Sequence, residues 1–197
     1  IRDSIMQGNI PVPKIGGKKI LGFGVAPESI GLGSTFRYKD FNASILVEGK
    51  MGGSFYSGTN NWYKAYGMHK KTVPAGGREA GFTPDGVMED GTVITTSIPM
   101  SKQEDYWSQT TNIGEENVGS SDYMRLRQLS LGYNVPSTML EGSFITNATV
   151  SLIGRNLLLL SSSSENIDPE SSYAAGNAVG LERAGMPVPR TIGLNIN

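Results

Sequence analysis

No cysteine occurs in the 197 residues, which excludes a disulfide scaffold, a thiolate zinc site and a cysteine nucleophile. Histidine occurs once, as His69 in "YGMHKKT". Without a second histidine or a thiol it supplies neither a zinc site nor half of a catalytic pair, and it reads as a solvated loop residue. Charge is sparse: charged residues make up 18% of the chain and the formal net charge is -1, which gives no electrostatic case for nucleic acid. Long apolar runs are missing too. The best candidate, "SLIGRNLLLL" from Ser151 to Leu160, contains Arg155 and falls short of the roughly eighteen residues a membrane helix needs. A membrane itself is not excluded, because a spanning β-strand takes only about 9–11 residues of alternating polarity. The opening "IRDSIMQGNI" lacks a leader-like charged and apolar pattern and reads as the interior of something longer.

Several short motifs are also incomplete. "GGKK" (Gly16 to Lys19) lacks the upstream glycine and the following Ser/Thr of a phosphate loop. "ENIDPES" gathers Glu165, Asp168 and Glu170 without the glycine and ligand periodicity of a calcium loop, and reads as a Pro-containing turn. No metal site and no cofactor site emerges.

Glycine, by contrast, is plentiful at 26 residues, which suits turn-rich β structure. Period-two alternation recurs. From Asn42 to Asn60 one row carries Ala43, Ile45, Val47, Gly49, Met51 and Phe55, while Ser44, Glu48, Lys50 and Ser54 fall in the other. "GLGSTFRYK" (Gly31 to Lys39) sets Leu32, Phe36 and Tyr38 against Thr35 and Arg37, and a tight link at Asp40-Phe41 makes the pair a hairpin. Val150 and Leu152 oppose Thr149, Ser151 and Arg155, and Ile192, Leu194 and Ile196 oppose Thr191 and Asn195. In "YMRLRQLSLGYNVP", Met124 and Leu126 are out of phase with Leu129, Leu131 and Tyr133, which predicts a β-bulge between them. No segment sustains a capped apolar helical stripe.

Links alternate in length: short at Asp40, long at about 61–121, moderate from Asn134 to Ile145, long at about 161–190. Up-and-down antiparallel strands put successive links at opposite ends, and outer-membrane barrels have short turns at one end and long loops at the other. The apolar row (Ile45, Val47, Val150, Leu152, Ile192, Leu194) would then face lipid, and Glu48, Lys50, Arg125, Arg127 and Arg155 a wet lumen. A soluble sandwich would present the same row to a protein core.

At "DYMRLRQLSLGYNVPSTML" (Asp122 to Leu140) the chain resembles the signature of SusC/RagA-type TonB-linked outer-membrane transporters of the Bacteroidota. "YKDFNASILVEGKMGGSFYSGTN" (Tyr38 to Asn60), "VSLIGRNLLLLSSSSENIDPES" (Val150 to Ser171) and "GLERAGMPVPRTIGLNIN" (Gly180 to Asn197) resemble further motifs of the family, in its order. The resemblance implies an all-β chain: the last several strands of an up-and-down transmembrane β-barrel that in this family has about twenty-two strands. Residues 1–197 then form a C-terminal segment with extracellular loops at about 61–121 and 161–190, the TonB box and plug domain having no counterpart here. The family usually closes on an aromatic residue, whereas this sequence stops at Asn197.

The function implied is import of a large nutrient, a glycan or a peptide, through the outer membrane. A SusD-like surface lipoprotein and the TonB-ExbB-ExbD complex are the partners, and no enzymatic step is involved. Loop aromatics Trp62, Tyr63, Tyr66, Tyr106 and Trp107 are candidates for stacking on ligand, or for an interfacial girdle. The rival reading is a soluble or surface-exposed β domain that binds carbohydrate without transport. A barrel enzyme would need a nucleophile and base that the lone His69 does not supply.

Overall fold

The structure is a computed structural model that describes residues 3–171 and 176–197. In chain order it forms β1 (Asp3–Gln7), β2 (Ile10–Pro13), β3 (Glu28–Tyr38), β4 (Phe41–Met51), β5 (Ser54–Ser57) and α1 (Gly58–Ala65). Then come β6 (Val87–Met88), α2 (Met100–Thr110), β7 (Val118–Ser120), β8 (Tyr123–Val135), α3 (Ser137–Leu140), β9 (Ala148–Ser162), β10 (Leu181–Glu182) and β11 (Thr191–Ile196). These elements fall into two units.

One unit, Phe23–Ser54 with Ser120–Gly180 and Gly185–Asn197, is built on a five-stranded antiparallel sheet in the order β11-β9-β8-β4-β3. Tyr38 pairs with Phe41, so β3 and β4 form a hairpin closed by Lys39 and Asp40, with Lys39 at φ 51. The ladder β4–β8 runs from Phe41↔Tyr133 to Lys50↔Tyr123, and β9–β11 from Arg155↔Thr191 to Val150↔Ile196. Both long connections therefore leave the sheet at the end marked by Met51, Tyr123 and Ser162, and the two shorter ones at the other. Strands of 11, 11, 13 and 15 residues meet or exceed what a membrane crossing needs, about 9–11.

The register sorts the side chains. Leu32, Val47, Leu126 and Leu158 stand in one cross-strand row, and Leu131, Leu152 and Leu194 lie in another on the same face. The opposite face carries Arg37, Asn42, Ser44, Glu48, Lys50, Arg125, Thr149, Ser151 and Arg155, with Leu46 and Ile153 as apolar members. The β-bulge expected between Leu126 and Leu129 is present: both ladders of β8 shift register there, at Arg127. The extra residue restores phase, bringing Met124, Leu126, Leu129 and Leu131 to a single face. In the bulge, β9 answers with Asn156 at φ 53. Gly132 lies opposite Asn42, and a Cβ there would come within 2.8 Å of the Asn42 side chain, so a larger residue would have to displace that amide.

The other unit, Ile1–Gly22 with Phe55–Gly119 and Leu181–Ala184, takes in nearly all of the long connection expected at about 61–121 and gives it secondary structure and a core of its own. It holds the sheets β2-β1-β6 and β10-β5-β7, both helices α1 and α2, and a core of Ile10, Val12, Ile98 and Tyr106 with Phe82 and Trp107 packed on it. The buried face of α2 is Gln103, Tyr106 and Thr110, a helical spacing whose outer members are polar. They are satisfied by the Arg78 carbonyl at 2.8 Å and the Trp107 carbonyl at 2.7 Å, so no apolar stripe marks the helix. The strand read through Asn60 ends sooner: Gly52, at φ 78, breaks it, and Ser57 caps α1 by accepting from the Asn60 N–H at 2.9 Å. No helix among the described residues is long and apolar enough to cross a membrane.

Candidate functional site

The bulge in β8 aims Arg125 and Arg127 to the same polar face, where both meet carboxylates from the connection after β9. Arg125 is buried at 3% exposure and its Nη2 donates to Asp168 Oδ1 at 2.6 Å and Oδ2 at 2.8 Å. Its Nε lies 3.0 Å from Glu170 Oε2, within ion-pair reach but without hydrogen-bond alignment. Arg127 bridges Glu170 on the connection and Glu48 on β4: Nη2 donates to Glu170 Oε1 at 2.8 Å and Nε to Glu48 Oε2 at 2.8 Å. Its Nη1 reaches Asn156 at 2.9 Å, so the paired bulge residues of β8 and β9 also touch. The Tyr123 hydroxyl donates to Glu170 at 2.9 Å.

The carboxylates show how the balance falls. Burial pushes Asp168 upward, yet the hydrogen bonds from Arg125 and from the Glu170 and Val188 backbone hold it below its ordinary 3.8. Glu170 is likewise pushed up by burial and brought below its ordinary 4.5 by Arg127, Tyr123 and Arg125. Charge-assisted and partly bidentate, these are the strong class of hydrogen bond.

The residues expected on the apolar row, Ile45, Val47, Val150, Leu152, Ile192 and Leu194, share one face of the sheet. Glu48, Lys50, Arg125 and Arg155 share the other, and Glu48 and Arg127 are joined directly. Lys50 and Arg155 lie exposed, outside the cluster.

The aromatics divide. Tyr106, at 4% exposure, is a core residue stacked edge-on against Phe82 and Trp107, so it is corrected from ligand contact to packing. Trp107 and Tyr66 both line a cavity of about 310 Å³ with Thr72, Arg78, Gln103 and Glu104. Trp62, Tyr63 and Tyr66 are exposed on and after α1, with the Arg183 guanidinium 4.5 Å above the Trp62 ring. His69 is corrected as well: it is buried, and its Nδ1 accepts from the Lys71 N–H at 3.1 Å to cap a turn, which removes it from solvent.

Three further charges, two half-buried and one buried, were not read from the sequence as partners. Asp168 and Glu170 were visible only as an acidic turn, though two arginines two apart and two carboxylates two apart are matched sets. Glu182, at 2% exposure, accepts from the Ser57 hydroxyl at 2.8 Å and the Thr59 hydroxyl at 2.5 Å. Among the described residues no group of three or more His, Cys, Asp or Glu could hold a metal ion.

No family model matches the chain. Two TonB-dependent receptors of Formosa agariphila do match it. One is 30% identical over 184 residues, 90% of this chain, and the other 25% identical over 187 residues, 91% of this chain. The chain spans 17% of the length of each. Among solved structures, the RagAB peptide importer in its closed-closed state matches with a TM-score of 0.62 at 16% identity, over 95% of this chain and 19% of that one. Its open-open state matches with a TM-score of 0.60 at 17% identity, over the same shares. These likenesses show the fold, a mostly β chain of antiparallel strands like those of the matched structures.

Proposed function

We infer, from a chain homologous along 90% of its length to TonB-dependent receptors, that it is part of an outer-membrane importer. In the complete protein the five strands are consecutive staves of a closed barrel of about twenty-two. Ile45, Val47, Val150, Leu152, Ile192 and Leu194 face lipid, and Glu48, Lys50, Arg125, Arg127 and Arg155 face the lumen. The long connections stand outside the cell and the short ones in the periplasm.

The observation that carries this reading is the apolar face. It runs across all five strands and is open: Leu32 is 68% exposed, Leu131 52%, Leu152 50% and Leu194 66%. A continuous face of that kind requires cover, and hydrocarbon fits it along every strand, while the charged face suits a wet interior. A soluble carbohydrate-binding sheet would need a second protein layer over the same face.

The cargo is a large nutrient, a peptide or a glycan; the match to a peptide importer supports the first. Tyr66 and Trp107, beside their cavity, and the exposed Trp62 and Tyr63 are the aromatic contacts offered to it. A SusD-like lipoprotein partners the external side, and the TonB-ExbB-ExbD complex supplies energy. No bond is made or broken.

Val47→Arg and Leu152→Arg in the full-length protein test the reading. Each places a charge in hydrocarbon, a cost of about 2–4 kcal/mol near the bilayer midplane. The expected result is a loss of heat-modifiable folded barrel in outer membranes; wild-type folding of both variants would refute the assigned faces.

A further inference from the structure

The polar face of the sheet is partly covered by the chain itself. Residues 164–171 fold back across Arg125 and Arg127, braced by the Ser164 hydroxyl on the Ile167 carbonyl at 3.0 Å and the Ser171 hydroxyl on the Asp168 carbonyl at 2.8 Å. The Asp168 carboxylate also accepts from the Glu170 N–H at 3.0 Å and, beyond the segment, from the Val188 N–H at 3.3 Å. Among residues 164–171 only Ile167 and Pro169 are apolar, so hydrophobic burial is a poor candidate for holding the segment down. The contacts that reach the sheet run mainly through charges: Asp168 and Glu170 on one side, Arg125 and Arg127 on the other, with the Tyr123 hydroxyl between.

We propose that residues 164–171 are an internal strap, latched by Arg125 and Arg127 to the lumen side of the barrel wall, which narrows the passage along that wall until the latch is opened. The lumen side rests on the barrel reading above; the latch does not. Asp168 and Glu170 act here as resident counter-ions. With the strap in place, two guanidinium groups that would otherwise face passing anionic cargo are already paired.

The test uses the full-length receptor in outer membranes, with Ser171→Cys as reporter and any native cysteine replaced. Ser171 is 7% exposed, so a water-soluble maleimide should label it slowly. Adding Asp168→Asn with Glu170→Gln is expected to raise the labelling rate about tenfold or more, because labelling follows the population of the released strap. Arg127→Glu should do the same, and Arg127→Glu combined with Glu170→Arg should return the rate toward the starting value. Equal rates in all four proteins, with each still a heat-modifiable barrel, would overturn the latch. Hydrogen exchange on the unaltered receptor needs no substitution: slow exchange at Glu170 and Ser171 supports the strap, and exchange as fast as at 141–145 overturns it. Absence of a heat-modifiable barrel in the unaltered receptor would instead count against the import reading alone.

Discussion

A guanidinium at 3% exposure, such as that of Arg125, has given up nearly all of its water and stands only if carboxylates replace it. Asp168 does so through two hydrogen bonds and Glu170 through charge alone; removing the cation should leave half-buried Asp168 without its charged partner, while Glu170 keeps Arg127 and Tyr123. Arg125→Met is expected to destabilise the folded protein by about 3–5 kcal/mol in urea unfolding, the usual cost of breaking a buried pair from one side. The same pairing has a pH signature. Both carboxylates sit below their ordinary values of 3.8 and 4.5, so the stability they add is complete above those values and is lost as pH falls through the lower folded-state ones. A melting-temperature series taken down to about pH 3 should therefore fall more steeply in the parent than in Arg125→Met; parallel curves would contradict the assignment. Alternation alone put Arg125 and Arg127 on a polar face, whereas their partners were out of reach because Asp168 lies 43 residues from Arg125 and is fixed only by the fold. His69 misled for a related reason: a buried cap and a solvated loop have the same local sequence.

Among elements, the strands of the five-stranded sheet were legible, whereas the short strands β1, β2, β6, β7 and β10 and the helices were not. Strand patterning survives in β4, β9 and β11 because each has one polar and one apolar face. It survives in β8 as well, since a phase slip at Arg127 is itself a readable mark of a bulge. α2 escaped because Gln103 and Thr110 occupy its buried face, made acceptable there by hydrogen bonds that sequence does not display. That difference changes what a deletion should do. Removing residues 76–91 would leave an ordinary loop shortened, but here it removes Phe82, whose ring stacks on Tyr106 and Trp107 and whose backbone bridges Ile98. The deletion is expected to unfold the unit containing α2, seen as protease sensitivity of residues 55–119, while the five-stranded sheet still assembles. Unchanged protease resistance would show that Phe82 is dispensable to that core.

For the chain taken as one, homology to TonB-dependent receptors and the open apolar face point the same way by separate routes, one from motifs and one from register. Alternation alone does not separate lipid from a second protein layer over Ile45, Leu152 and Leu194; the family resemblance is what favours lipid. In the structure these side chains are uncovered, at 37%, 50% and 66% exposure, which is compatible with the lipid-facing reading proposed above. Spin labels at Leu152, Leu194, Lys50 and Ser151 of the full-length protein in bilayers decide it, read by relaxation from oxygen, which concentrates in hydrocarbon, and from a water-soluble nickel chelate. Oxygen should dominate at Leu152 and Leu194 and the chelate at Lys50 and Ser151; labels at Leu152 and Leu194 shielded from both reagents would mean that protein, not lipid, covers the apolar face.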